Sequence, residues 1–387
     1  MTEDTAAPTH TPQPAAAPPA SVEPRPVAPH RRLMSLDVFR GITMLGMLLV
    51  NNIALDEATP TQLTHASWNA GLHLADLVFP WFLFIVGVAV PYSAASAARK
   101  KMPLWQYDLK VLGRAVTLFL LGCFIDSSII HAPYLDLGVL QLIGLAYLVA
   151  ALLYELPGQR RLLIAGGLLV GYWAVIRFVP VPGVGAVFTA DRNIINHLNQ
   201  VYLQQFHLQG LLSVIPTAAL VMLGTGVGDI LRSEQHSGHK KVGQLLIMGA
   251  VLAVVGLLWS HDLPFNKPLW STPYVIYTAG LATVALALLY LILDLNNWRF
   301  WAWPFAILGM NAIFIYFVPI VVKLYVLSDW YVKIEDGTKL QLGVALMHYP
   351  FAAFGRLAGG WVYTLGYIAF WWLVAVWLWQ RKIFMRV

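Results

Sequence analysis

Apolar residues in this chain fall in blocks of about twenty, the length of α-helix that crosses a bilayer core. From Leu33 onward ten such blocks can be marked, at residues 35–55, 75–95, 110–128, 136–155, 161–180, 210–231, 241–260, 272–294, 303–325 and 359–380. Short connections between them predict one all-α, polytopic transmembrane helical bundle, because backbone in lipid must satisfy its own hydrogen bonds. Residues 343–359 interrupt the pattern with His348, Pro350 and Arg356, and they read as an interfacial or re-entrant piece. Residues 1–32 have no apolar run and are rich in Pro and Ala, so they read as a disordered cytoplasmic tail before one domain at 33–387.

Lysine and arginine set the orientation. With the N-terminus inside, 17 of the 25 Lys and Arg fall on cytoplasmic segments and seven on the outer side. By the positive-inside rule both termini are then cytoplasmic. An eleventh span over 343–359 would carry the basic end, Arg381 to Arg386, to the outside. Composition agrees, with 58% apolar and 11% charged residues, where soluble domains carry about 25% charged. An ordinary soluble enzyme is excluded, and the net charge of +6 reports loop charge rather than nucleic-acid binding. Cys123 is the only cysteine, so there is no intrachain disulfide and no cysteine metal site. Scattered histidines without ligand spacing predict no metal, and no P-loop, GxSxG or HExxH pattern occurs.

The richest polar stretch is His65–Phe82, HASWNAGLHLADLVFPWF. Read as a helix, it puts His65, Trp68, Asn69, Leu72 and Asp76 on one face. Asp76 enters the second span, where a carboxylate is costly unless paired or functional. A histidine beside it suits a general base near neutrality, against the blander reading of a solvated interfacial histidine. In the first span Asp37, Arg40 and Asn51 fall within about 60° on one helix face. This polar track runs roughly 20 Å, most of the bilayer core. It marks either a path through the bundle or an Asp37–Arg40 ion pair with Asn51 bonded to a neighbouring helix. Gln141 and Asn311 are further intramembrane polar groups, with interhelical hydrogen bonding as the simple account.

The motifs Leu36-Asp37-Val38-Phe39-Arg40-Gly41, Val50-Asn51, His65 to Gly71 and Ala75 to Phe82 resemble, in order and spacing, the heparan-α-glucosaminide N-acetyltransferase family. Gly138 to Gln141, Gly210 to Ser213, Asn266-Lys267-Pro268-Leu269-Trp270-Ser271, Gly309 to Ala312 and Arg381 to Phe384 fit as well, so the resemblance covers residues 33–387. It implies a membrane acyltransferase that carries an acetyl group from cytosolic acetyl-CoA to the amino group of a glucosamine-type sugar, with a homodimer as the assembly. The active histidine then falls on His65 and the family's asparagine on Asn51, with Asp76 orienting the site. Arg40, Asp37, Gln141 and Asn311 become candidate donor contacts. Trp68, Asn69, Asn266, Lys267 and Trp270 become candidate acceptor contacts. The family's Gln-Arg pair reads Gln141-Leu142 here, which sets heparan sulfate itself apart from the expected acceptor. The tail in place of a lumenal domain, with no Asn-x-Ser/Thr sequon, favours a bacterial plasma membrane. The competing class is a transporter or permease that uses the polar track as a substrate path.

Overall fold

Close helix crossings organise the bundle, and small residues make them possible. The computed structural model describes residues 33–334 and 337–385, so the expected tail at 1–32 lies outside the described residues. Helix α2 (Leu74–Arg99) crosses α7 (Val214–Arg232) at Gly87, Gly224 and Gly228, where a Cβ would collide with backbone of the facing helix. Helix α1 (Met34–Asn52) meets α10 (Trp303–Met310) in the same way at Gly41 and Gly309. Without a hydrophobic drive between helices in lipid, such backbone approach supplies the contact energy. The first two N–H groups of α1 have no local cap. The Asp294 carboxylate accepts from Met34 and Ser35 at 2.9 and 3.0 Å instead, a favourable place for negative charge.

The remaining helices are α3 (Leu104–Ile130), α4 (Val139–Leu152), α5 (Gly158–Phe178), the short α6 (Ile194–Leu198), α8 (Gly238–Trp259), α9 (Thr272–Leu289), α11 (Ala312–Val322) and α12 (Leu342–Gln380). Each of the ten expected blocks contains helix, but they are not ten equal spans. Among the described residues seven helices are long and apolar enough to cross a membrane, and an eighth crossing arises if α10 and α11 are one broken span. Helix α4 is short, and α3 begins six residues before its expected start, carrying Asp108, Lys110 and Arg114. The expected span at 303–325 is broken at Asn311 by a 74° bend.

The segment expected to be interfacial or re-entrant is helical. It joins the following helix through Gly355, whose φ of 77° and ψ of 172° only glycine adopts readily. Beyond that break the chain doubles back, so that Gly359 sits against the Pro350 carbonyl. A small hairpin, β1 (Tyr331–Lys333) with β2 (Lys339–Gln341), precedes it. Its three-residue strands are mostly exposed and carry no apolar alternation to announce them.

Candidate functional site

Asp76 builds the site. It stands at the third position of α2, where its Oδ2 accepts the His73 backbone N–H at 3.1 Å and caps the helix. The same oxygen accepts the Ala66 N–H at 3.1 Å, and Oδ1 lies 2.9 Å from His65 Nδ1. Tyr274, fully buried on α9, donates its hydroxyl to the Asp76 carbonyl at 2.7 Å. The carboxylate is 2% exposed while the His65 side chain is 52% exposed. An ionised carboxylate can only accept, so Nδ1 carries the proton and Nε2 keeps the lone pair; this tautomer is assigned from the partners. The helix expected to join His65 to Asp76 does not form. Residues 64–73 are irregular, with Asn69 at φ 61° and Gly71 at φ 91°, and the loop is folded onto Asp76 by backbone hydrogen bonds.

Lys267 arrives from the turn before α9. Its Nζ lies 3.0 Å from His65 Nδ1, 3.3 Å from Nε2 and 3.5 Å from Asp76 Oδ1. Burial pushes its ammonium below the ordinary lysine range, and the Asp76 charge opposes that. The turn is tightly tied. Asn266 Oδ1 accepts the Leu269 N–H at 2.9 Å, Trp270 N–H donates to the Lys267 carbonyl at 3.0 Å, and Trp270 takes φ 52°. The Trp270 ring packs edge-on against Phe79 and beside Tyr274. Of the five expected acceptor contacts, Asn266 and Trp270 are therefore buried supports for the turn, and Lys267 alone faces the imidazole. Trp68 packs on Phe188, its indole N–H buried without a partner among the described residues, and Asn69 is exposed.

Three cavities follow α1. The largest, about 810 Å³, lies toward the N-terminal end of α1 and is lined by Arg40, Ser93, Lys110, Arg114, Tyr147 and Met385 among others. A neighbouring recess of about 260 Å³ shares Lys110 and Arg114 and adds Lys100. Next comes a narrowing of about 60 Å³ between Met44, Met47, Phe82 and Tyr316. Beyond it, a cavity of about 320 Å³ holds Asn51, Tyr316, Lys323 and Tyr367. Asp37 pairs with Arg40 at 3.7 Å, as the ion-pair account of the stripe expects.

Asn51 is exposed, and its carbonyl accepts from Lys323 Nζ at 3.2 Å. Among the described residues no hydrogen bond joins Asn51 to His65. Both lie at the same end of the bundle, because Gly46 of α1 faces Val78 of α2. The structure sets Gln141 in an interhelical bond between α4 and α3, whereas Asn311 bonds the non-helical stretch after α12. Buried Gln141 donates to Asp126 Oδ2 at 2.6 Å. Buried Asn311, at the α10–α11 break, donates to the Ile383 carbonyl at 3.2 Å and accepts the Met385 N–H at 3.0 Å. Lys110, Arg114 and Tyr274 escaped the sequence reading. The first two are cations four residues apart on one helix face, a signal that was absorbed into loop charge. Among the described residues no group of three or more His, Cys, Asp or Glu is placed to hold a metal.

Residues 32–265 match the family described as heparan-alpha-glucosaminide N-acetyltransferase, catalytic. Two relatives named heparan-alpha-glucosaminide N-acetyltransferase align with it. The human protein is 25% identical and the mouse protein 26%, each over 92% of this chain. The chain spans 60% of the length of these curated relatives.

Proposed function

Because the chain belongs to the heparan-alpha-glucosaminide N-acetyltransferase catalytic family, we propose that it is a membrane-bound acetyltransferase whose donor and acceptor approach from opposite faces. Acetyl-CoA enters from the cytosol at the Arg40, Lys110 and Arg114 cavity. The acceptor, a glucosamine-type amine, meets His65 at the other end of the bundle, and the membrane is a bacterial plasma membrane. Three guanidinium and ammonium groups around one cavity suit a polyphosphate, since guanidinium donors pair with phosphate oxygens. Cavities in series along α1 give an extended pantetheine arm a route toward Asn51.

One observation carries the reading: a half-exposed imidazole is oriented by a buried carboxylate. A histidine that merely fills space needs no such partner. With Nδ1–H held by Asp76, Nε2 is the base that takes the proton of the attacking amine, a contribution of about 10²–10⁴ in rate. Arg40, on the cytosolic side, anchors the donor's phosphates. Asn51 meets the acetyl end of the arm. An amine is nucleophilic enough to attack a thioester directly, so His65 acts as base and not as acetyl carrier.

The test is purified protein with acetyl-CoA and glucosamine. Thiol release and N-acetylated sugar should appear in equal amounts. Absence of acetyl-CoA-dependent thiol release across a panel of amino sugars overturns the reading. Uptake of labelled glucosamine into vesicles without acetyl-CoA consumption would make the cavities a transport path instead.

A further inference from the structure

The 810 Å³ cavity and the 260 Å³ recess beside it divide their cations unequally. Arg40 lines only the main space, Lys110 and Arg114 line both, and Lys100 lines only the recess. No carboxylate is among the described residues that line either space. Arg114 is fixed at the join, with its guanidinium 5.1 Å over the Tyr147 ring and donating to that hydroxyl at 3.4 Å. At the end of α2, Ser93, Ser96 and Lys100 recur at helical spacing and all three line the recess. Lys100 could serve merely as the cation at a helix C-terminus, but that end is already satisfied. The backbone N–H groups of Lys100, Lys101 and Met102 donate to the Ser96, Ala98 and Ala97 carbonyls. Met102 then pins the turn into the apolar cluster built on Tyr107 and Val111. Among the described residues the Lys100 ammonium has no hydrogen bond or ion pair.

We propose that the recess seats the 3′-phosphate of the donor, apart from the pyrophosphate beside Arg40, and that Lys100 makes the protein select coenzyme A over its dephospho form. The inference rests on the acetyltransferase reading above. Charge is the reason. Each phosphate of the pyrophosphate bridge carries a single negative charge, whereas a phosphate monoester carries about −1.5 to −2 near neutrality and offers three acceptor oxygens. Lys100, Lys110 and Arg114 bring three positive charges to one small space, and the Ser93 and Ser96 hydroxyls add O–H donors. An ammonium is a compact point charge on a flexible stem, suited to a tetrahedral phosphate end that needs no planar match. A phospholipid phosphate is a diester with one charge, a poorer match for three cations. Lys100 is thus a specificity-determining residue: it reads the one group that separates the two forms of the donor.

Acetyl-CoA and acetyl-dephospho-CoA, which differ only in that phosphate, supply the test. Wild-type protein should show a KM about tenfold lower for acetyl-CoA, the size of one charged contact, with similar kcat for both donors. Lys100→Gln should raise KM for acetyl-CoA about tenfold and leave that for acetyl-dephospho-CoA unchanged, and Lys100→Arg should restore most of the preference. Arg99→Gln and Lys101→Gln remove equal charge from neighbours that line neither space, so they should keep the preference. A second readout needs no turnover. By calorimetry, adenosine 3′,5′-bisphosphate should bind wild-type protein about tenfold more tightly than 5′-AMP, and Lys100→Gln should erase the difference. Equal affinities for the two nucleotides overturn the proposal, as does a preference lost equally in the Arg99 and Lys101 variants. So does bisphosphate binding that is weaker in phosphatidylglycerol than in phosphatidylcholine nanodiscs and shows no preference over 5′-AMP, which would give the recess to lipid phosphate. A wild-type protein that acetylates no amine sinks the enzymatic reading, whereas an active one with equal KM for both donors sinks this inference alone.

Discussion

Asp76 Oδ2 accepts the backbone N–H of Ala66 at 3.1 Å, so the carboxylate that orients His65 also fastens the loop carrying it. Rate and stability are therefore tied to one side chain. Asp76→Asn should lower kcat by about 10³–10⁴, because an amide can present N–H to His65 and favour the wrong tautomer. It should also cost about 3 kcal/mol, the scale of breaking a buried ion pair. Enzyme assays and thermal unfolding in detergent measure the two losses, and a kinetic loss without any fall in melting temperature would contradict the double role.

His65→Ala separates those effects. The side chain is half exposed and supports little packing, so the melting temperature should stay within about 2 °C, the shift expected for less than 1 kcal/mol. The rate should fall about 10²–10⁴. A variant keeping more than a third of wild-type turnover would make His65 structural. Wild-type protein incubated with acetyl-CoA alone should show no acetylated histidine by mass spectrometry.

At the other end of the bundle the cations should read the donor's nucleotide. Arg40→Gln, Lys110→Gln and Arg114→Gln should each raise KM for acetyl-CoA about tenfold, the effect of losing about 1.4 kcal/mol of charged contact. KM for the amine should stay nearly constant. S-acetylpantetheine lacks the phosphates, so its KM should be the same in wild type and variants. Equal changes for both donors would return the cavity to a structural or solvent-filled role.

The narrowing between the cavities gives a steric test. Met47 borders both the 60 Å³ and the 320 Å³ spaces. Met47→Trp should fill the passage and lower kcat with acetyl-CoA more than 100-fold. Binding of adenosine 3′,5′-bisphosphate, which stops short of the narrowing, should persist within threefold by calorimetry. Full activity in a folded Met47→Trp protein would exclude this route.

Much of the architecture could be read from hydropathy, because only helix satisfies backbone groups in lipid. The stretch around Gly355 is marked by His348, Pro350 and Arg356, but its helical form and its turn back, with Gly359 against Pro350, are not. Asn311 sits inside an apolar run, and its bonds to Ile383 and Met385 at the bend are tertiary. The pairing of His65 with Asp76 was foreseen through helical spacing, yet it arises from a helix cap and a folded loop. Isolated polar residues within spans drew attention to Gln141, which joins α4 to α3, and to Asn311, which ties down the stretch after α12. The cavity cations Lys110 and Arg114 lie near a helix start, where any membrane protein carries positive charge. Burial of Asn266 and Trp270 follows from a turn whose backbone bonds leave no periodic trace.

Asn311 also has a practical consequence for anyone handling this protein. It draws the carboxyl-terminal stretch back between helices, so that Met385 becomes part of the wall of the cation-lined cavity. A purification tag or fluorescent reporter fused after Val387 begins only two residues past Met385, so an acidic linker there should compete with an anionic donor for the cavity's cations. Preparations tagged at opposite ends should differ in apparent donor affinity, and cleaving the carboxyl-terminal tag should erase the difference.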